Sequence, residues 1–380
     1  MNSIKVLFVS GSINPERGGV ARVCCNLSMG LRSVGINTYS ITTAKDADGF
    51  FDESIQFEEP NVKSQKNAKQ ILSFYNKHHF THVILENPQL EWMLDATSSL
   101  KGKAILIGEY HNSPFGVYGS LSSSSVLSIL NSKKWFRRLL FKYRSLKMRS
   151  YWNKVSEVLD HMVLLSDSYY DELNKLAHFS RNKVSAIANP FPPVDSAGCG
   201  EKQNTIIFVG RLSGVQKGLS KMLRIWDNLY RELPLWKLKI VGGGDELNKW
   251  KRKADLMGLK NISFEGFQTP DNYYSEAKIF MMTSLYEGFP MTLVEAMQYG
   301  CVPVAFNSFS GLNDIIDNKK NGLTIKAFDE KAYSKAVISL AEDSVFWNNL
   351  SINAIEKSKL FLVEEVITEW VALFNKLSSN

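Results

Sequence analysis

Asn189-Pro190-Phe191-Pro192-Pro193-Val194-Asp195-Ser196-Ala197-Gly198-Cys199-Gly200 is the stretch on which the reading of this chain turns. Three prolines and two glycines in twelve residues interrupt a regular pattern, as a linker between domains does. Before it, short apolar runs at Lys5–Ser10, Thr38–Ile41, His82–Leu85, Ala104–Ile107, Met162–Leu165 and Val184–Ala188 alternate with amphipathic stretches such as Val20–Val34. After it the pattern restarts, with strands expected at Thr205–Val209, Lys237–Val241, Ile262–Phe264, Ile279–Met282 and Val302–Ala305 and helices at Leu219–Leu233 and Asp245–Met257. Apolar strands alternating with helices predict parallel sheets covered on both faces. The expected architecture is α/β: two doubly wound Rossmann-like domains, 1–190 and 201–360, with a last helix at about 361–380 packing back on the first. Such sheets bind ligands beyond the carboxyl ends of their strands, so chemistry is expected in a cleft between the domains.

The 380 residues suffice for two cores, and 44% apolar with 22% charged residues excludes a disordered or fibrous chain. No apolar run reaches the roughly 18 residues of a membrane-spanning helix, and the N-terminus reads as a strand, not a signal peptide. A cytoplasmic protein is expected. Cys24, Cys25, Cys199 and Cys301 have no C-x-x-C spacing, which points to buried or inert thiols. Charge is concentrated: Tyr110 to Ser156 holds nine Lys and Arg and no acid, against a net +7, so the rest of the chain nets −2.

Three glycine-bearing turns follow strands of the second half. Glu287-Gly288-Phe289-Pro290-Met291-Thr292-Leu293-Val294-Glu295 places Pro290 at the expected start of a helix. The amides of Met291, Thr292 and Leu293 would then lack intrahelical acceptors and, with the positive helix end, suit a phosphate. Glu287 and Glu295 are carboxylates of the kind that grip vicinal hydroxyls, although as a loop and a surface acid they are also common. Phe208-Val209-Gly210-Arg211-Leu212-Ser213-Gly214-Val215-Gln216-Lys217-Gly218 delivers two cations, a planar fork and a point charge, to the same ends. Val241-Gly242-Gly243-Gly244-Asp245 allows close approach of a ligand to backbone. Leu247 stands where a dinucleotide fingerprint needs its third glycine, which disfavours an NAD-dependent oxidoreductase. Gly11 to Gly19 in the first half lacks the Gly-Lys-Ser/Thr ending of a Walker loop.

The glutamate pair with seven residues between, the Gly-Arg-Leu…Lys-Gly run and the Val-Gly-Gly-Gly turn together resemble the retaining glycosyltransferases of family 4, which have the two-domain GT-B fold. The resemblance is dense from about Thr205 to Ala305. It implies an acceptor-binding first domain and a second that binds a nucleotide-sugar. Arg211 and Lys217 would neutralise the donor diphosphate, Glu295 would hold the ribose, and Glu287 would lie by the transferred sugar. Backbone from Phe289 through Leu293, with Gly243, would contact the donor, Phe267 would pack the base, and Gly18 and Gly19 would face it from the other domain. His111, just after the Ala104–Ile107 strand, falls where the family has a histidine at the reaction centre, with Glu109 orienting it or serving in its place. Catalytic roles are thus expected of His111, Arg211, Lys217 and Glu287.

The resemblance further implies transfer of a hexose, from a UDP-sugar first and GDP-mannose second, to a glycan or lipid-linked oligosaccharide acceptor in surface-polysaccharide synthesis (lipopolysaccharide or capsule). No cofactor and no metal are expected. Asp46-Ala47-Asp48 sits in a polar turn, and His78, His79 and His82 have no acidic or Cys ligand nearby in sequence. Lys133 to Lys154 interleaves cations with Trp135, Phe136, Leu139 and Tyr143 at helical spacing. This predicts an anionic membrane surface as partner, making the protein peripheral at the inner face of the plasma membrane, rather than a nucleic acid. A non-catalytic sugar-nucleotide-binding relative is the remaining alternative.

Overall fold

A computed structural model describes residues 3–44, 49–88, 90–114, 149–194, 201–212 and 215–379. Asp46-Ala47-Asp48, Cys199 and positions 133–148 of the basic stretch lie outside them. The chain forms two units, Met1–Pro192 with Leu362–Asn380, and Pro193–Phe361.

The first unit carries β1 (Lys5–Ser10), β2 (Asn37–Thr42), β3 (Glu53–Gln56), β4 (His82–Glu86), β5 (Ile105–Tyr110), β6 (His161–Leu164) and β7 (Val184–Ala186). They form one sheet in the order β3-β2-β1-β4-β5-β6-β7, every pair parallel. The strands β1 and β4 are apolar because both faces are covered: Val6, Leu7, Phe8 and Val9 are fully buried, as are Val83, Ile84 and Leu85. From β1 the chain winds outward to β3, returns to β4 on the other side of β1, and so makes a switch point between β1 and β4.

The second unit carries β8 (Gln203–Val209), β9 (Lys237–Val241), β10 (Ile262–Gly266), β11 (Ala277–Met282), β12 (Val302–Asn307) and β13 (Leu323–Lys326). The order is β10-β9-β8-β11-β12-β13, again wholly parallel, with the switch between β8 and β11. The helix Leu219–Glu232 buries Leu219, Met222, Leu223, Ile225, Trp226 and Leu229, an i, i+3, i+4, i+7 stripe that joins the core of β8, β9 and β11.

The last helix, Val363–Ser378, belongs to the first unit. Its buried face of Val366, Ile367, Trp370, Leu373 and Phe374 enters the core beside Leu27 and Leu31 of the helix Gly19–Ser33. Close approach requires glycine there: a Cβ on Gly30 would lie 2.5 Å from Ile367 Cγ1 and 2.6 Å from Val363 Cγ2. No side chain caps the helix start, but the Val363 amide donates to Phe191 O at 2.9 Å, tying the helix to the chain just before it leaves the unit.

Four local expectations are corrected. The strand expected at Ala104–Ile107 runs to Tyr110, so Glu109 lies within it. The helix expected from Asp245 begins at Leu247, after a glycine turn. Pro290 is the cap residue of the helix Met291–Gln298, not its first residue. The helical residues 149–158 bury Trp152 and Val155, while Lys154 pairs with Asp95 at 3.0 Å, so this cation of the basic stretch is already engaged. No helix among the described residues is long and apolar enough to cross a membrane.

Candidate functional site

The residues read as donor-binding converge at the carboxyl ends of β8 to β11 in the second unit. Gly242 has φ +139°, and a Cβ there would stand 2.0 Å from Gly210 O, so the turn after β9 lies directly on the turn after β8. The Leu212 amide donates to Gly243 O at 2.8 Å, and the Gly242 amide to Gly266 O at 2.7 Å. Three strand ends are thus laced together by backbone alone, which is why small residues recur there. Phe267 follows Gly266, lies beside Gly243 and leaves 78% of its surface exposed, an unspent aromatic face.

The turn after β8 is also fastened to the turn after β11. The Leu285 amide donates to Gln216 O at 2.7 Å, and Thr283 Oγ1 donates to Lys217 O at 2.9 Å. Gly218, in the left-handed region at φ +65°, fits against Thr283 O where a Cβ would stand 2.1 Å away. These bonds bring Lys217 and Glu287, one on each side of the switch point, to 2.7 Å between Nζ and Oε1. The Glu287 side chain is 8% exposed and that of Lys217 21%, and Gln216 Nε2 donates to Glu287 Oε2 at 3.3 Å. The cation expected at a diphosphate and the carboxylate expected at a sugar are therefore one hydrogen-bonded ion pair.

Glu295, on the helix Met291–Gln298, accepts a hydrogen bond from Tyr274 Oη at 3.1 Å. Tyr274 is fully buried and stacks on Tyr299. It orients the carboxylate and was not legible in the sequence. Pro290 and Met291 are buried, and Phe289 packs its ring on Phe361 at 5.4 Å. The Leu293 amide donates to Pro290 O at 3.0 Å, so it is not among the amides open to a phosphate, contrary to expectation. Thr292 is half-buried in the same first turn. Arg211 is exposed and makes no hydrogen bond or ion pair among the described residues.

The first unit holds the other three expected residues. Gly18, at φ 148°, caps the helix that Gly19 begins. His111 stands just past β5, buried, with its Nε2 hydrogen-bonded to Glu86 Oε2. Glu86, not Glu109, is its direct partner. Sequence reasoning missed Glu86, although an acid ending the apolar run His82-Val83-Ile84-Leu85 was a signal. Among the described residues Glu86, Glu109 and His111 are grouped closely enough to suit an ion, their ligand-capable atoms within 4.8 Å. The imidazole Nε2 is itself bonded to Glu86, which joins two of the three in a hydrogen bond. His78, expected to lack an acid, has Glu53 3.0 Å away, and Lys77 shares that carboxylate at 2.7 Å. Cys24, Cys25 and Cys301 are buried thiols that form no disulfide among the described residues.

The family described as Glycosyl transferases group 1 matches residues 195–358, nearly the whole second unit. An uncharacterized glycosyltransferase of Haemophilus influenzae is 29% identical over 50% of this chain and 55% of its own length. The amylovoran biosynthesis glycosyltransferase AmsD of Erwinia amylovora is 29% identical over 46% of this chain and 49% of its own. The chain thus spans about half the length of the curated relatives it matches. The crystal structure of Anabaena Alr3699/HepE in complex with UDP superimposes with a TM-score of 0.76 at 15% identity, covering 98% of this chain and 100% of that one. That likeness shows the fold: two parallel-sheet α/β Rossmann-like domains of the GT-B glycosyltransferase type. The oxidoreductase reading receives no support from any of these comparisons.

Proposed function

We propose that the protein is a retaining glycosyltransferase that moves a hexose from a nucleotide-sugar, a UDP-sugar first, to a growing glycan of a cell-surface polysaccharide. The Lys217–Glu287 pair at the switch point of the second sheet carries this reading. It puts a cation and a carboxylate within hydrogen-bond distance of each other, beside a glycine-lined backbone and an exposed aromatic ring. A diphosphate next to a sugar needs that combination. The match to group 1 glycosyltransferases over the same unit supports it, as do the UDP bound by HepE and the polysaccharide named for AmsD.

In this reading Phe267 stacks on the base and Glu295, held by Tyr274, takes the ribose hydroxyls. Arg211 and Lys217 neutralise the diphosphate, and Phe289 to Thr292 line it with backbone. As the C1–O bond to phosphate breaks, negative charge grows on the leaving group, where a fixed cation stabilises it most. Glu287 keeps Lys217 in place and faces the ring on which positive charge develops. The acceptor oxygen bonds to C1 on the same face, and its proton passes to the departing phosphate. The charge of Arg211 and Lys217 takes the part a divalent ion plays elsewhere. The cations of positions 133–148 would bind the anionic membrane surface that carries a lipid-linked acceptor.

Titration with UDP, GDP and ADP and their sugars, followed by anomeric analysis of the product on a lipid-linked acceptor, tests the proposal. UDP is expected to bind most tightly, and transfer to survive EDTA with the α configuration of the donor retained. Absence of binding by all three nucleotides would end the transferase reading. An inverted product would end its retaining form.

A further inference from the structure

At the switch point of the first sheet lies a second group of buried titratable side chains. Glu86 ends β4 and Glu109 stands opposite it in register on β5. His111 follows two residues later, and the three are 1%, 1% and 8% exposed. Ser10 ends β1, and Cys24 reaches in from the helix Gly19–Ser33, its thiol 3.8 Å from Ser10 Oγ and hydrogen-bonded to Glu86. His111 Nε2 is taken by Glu86, whereas His111 Nδ1, Glu86 Oε1 and Glu109 Oε2 are buried with no partner among the described residues.

The proton count decides what such a cluster can do. An imidazole that donates Nε2–H to Glu86 is either neutral, with a bare Nδ1 acceptor, or a cation with a second N–H to give. Two carboxyl groups side by side in a buried site favour the cation, and they disfavour a second carboxylate charge. Resting on the transferase reading, we propose that Glu86 is a positioning residue that, with protonated Glu109 behind it, holds His111 as an imidazolium whose Nδ1–H is left to donate to a substrate oxygen at the first sheet. His111 is then a hydrogen-bond donor to the substrate and not a general base.

The electrostatics agree with this placement. Burial opposes the His111 charge, but Glu109 and Glu86 more than offset it and push the imidazole up to about 9. Burial and then the Glu86 charge push Glu109 up to about 8, against the pull of His111. Burial holds the Cys24 thiol well above its ordinary value, so it stays protonated through this range. These groups, from β4, β5 and the helix Gly19–Ser33, are the titratable ones acting on His111 and Glu109.

Nitrogen-15 NMR of the histidines tests the inference without any turnover, with the His111 signal assigned by its loss in His111→Gln. Both ring nitrogens should be protonated at pH 7, and the His111 shift should titrate in two alkaline steps. In Glu109→Gln, which keeps a hydrogen-bond donor but cannot ionise, the lower step should vanish. In Glu86→Gln the ring should lose its proton at lower pH than in the wild type, and kcat should fall about 100-fold with donor KM within about threefold. Glu86→Asp should recover part of both. A neutral His111 in the wild type, or an unchanged titration in Glu86→Gln, would overturn the inference, as would a stoichiometric metal ion in the purified protein. If the titrations are as expected and no nucleotide-sugar is turned over, the cluster stands and the transferase reading fails instead.

Discussion

Replacing Lys217 by alanine removes the cation 2.7 Å from Glu287 and leaves that carboxylate, 8% exposed, with a hydrogen bond from Gln216 but without its charge partner. Hydrogen bonds to charged groups contribute about 1.5–3 kcal/mol. The upper figures for a fully buried pair do not apply, because Lys217 keeps a fifth of its side chain in water. A loss of about 2 kcal/mol corresponds to a fall in Tm of about 4–8 °C for a domain of this size. That is small against the roughly 5–15 kcal/mol of a typical fold, so the variant remains folded at 25 °C. Its catalytic cost is separate and larger. Losing one fixed donor to a developing charge costs about 10²–10³ in kcat.

The double variant Lys217→Ala, Glu287→Gln separates the two effects. Removing the carboxylate charge that has lost its cation should return about 1 kcal/mol of stability by the coupling of neighbouring sites, with no return of activity. Circular dichroism melts and a coupled assay of released nucleotide diphosphate measure both. A Lys217→Ala enzyme within threefold of wild type would refute the diphosphate assignment. Additive melting temperatures across the cycle would show that the pair is not coupled.

Gly242→Ala puts a methyl group 2.0 Å from Gly210 O at a φ of +139° and should cost about 2–4 kcal/mol, seen as a Tm drop and weaker nucleotide binding. An unchanged melt would mean that the turns after β8 and β9 are not packed as described. Gly30→Ala drives a methyl into Ile367 and Val363 at 2.5–2.7 Å and should cost about 1–3 kcal/mol, with Ile367→Val in the same chain recovering part of it. Acid should weaken the first unit through His82 and His161, both lowered to about 4, chiefly by burial. The unfolded chain then binds more protons below pH 6.5, so urea midpoints should fall as pH drops from 6.5 through 4. Alkali should act in the opposite sense through His111, raised to about 9, whose contribution is complete below pH 6.5 and lost as pH rises through 9. A flat midpoint between pH 4 and 9 would contradict both.

The apolar strands were legible because a parallel strand covered on both faces must be apolar throughout, as Val6 to Val9 and Val83 to Leu85 are. The two strands that escaped notice, β3 (Glu-Ser-Ile-Gln) and β13 (Leu-Thr-Ile-Lys), are edge strands, half-covered and free to carry polar residues. The glycine turns of the second unit were also readable, since backbone packed on backbone tolerates only small side chains. Partnerships were not. Lys217 and Glu287 are 70 residues apart, and Glu86 and His111 25. Sequence alone chose the chemical groups and the ends of the strands on which they stand. Strand order, which hydrogen bonding between distant segments determines, decided that β8 lies beside β11 and β4 beside β5, and so which charge meets which.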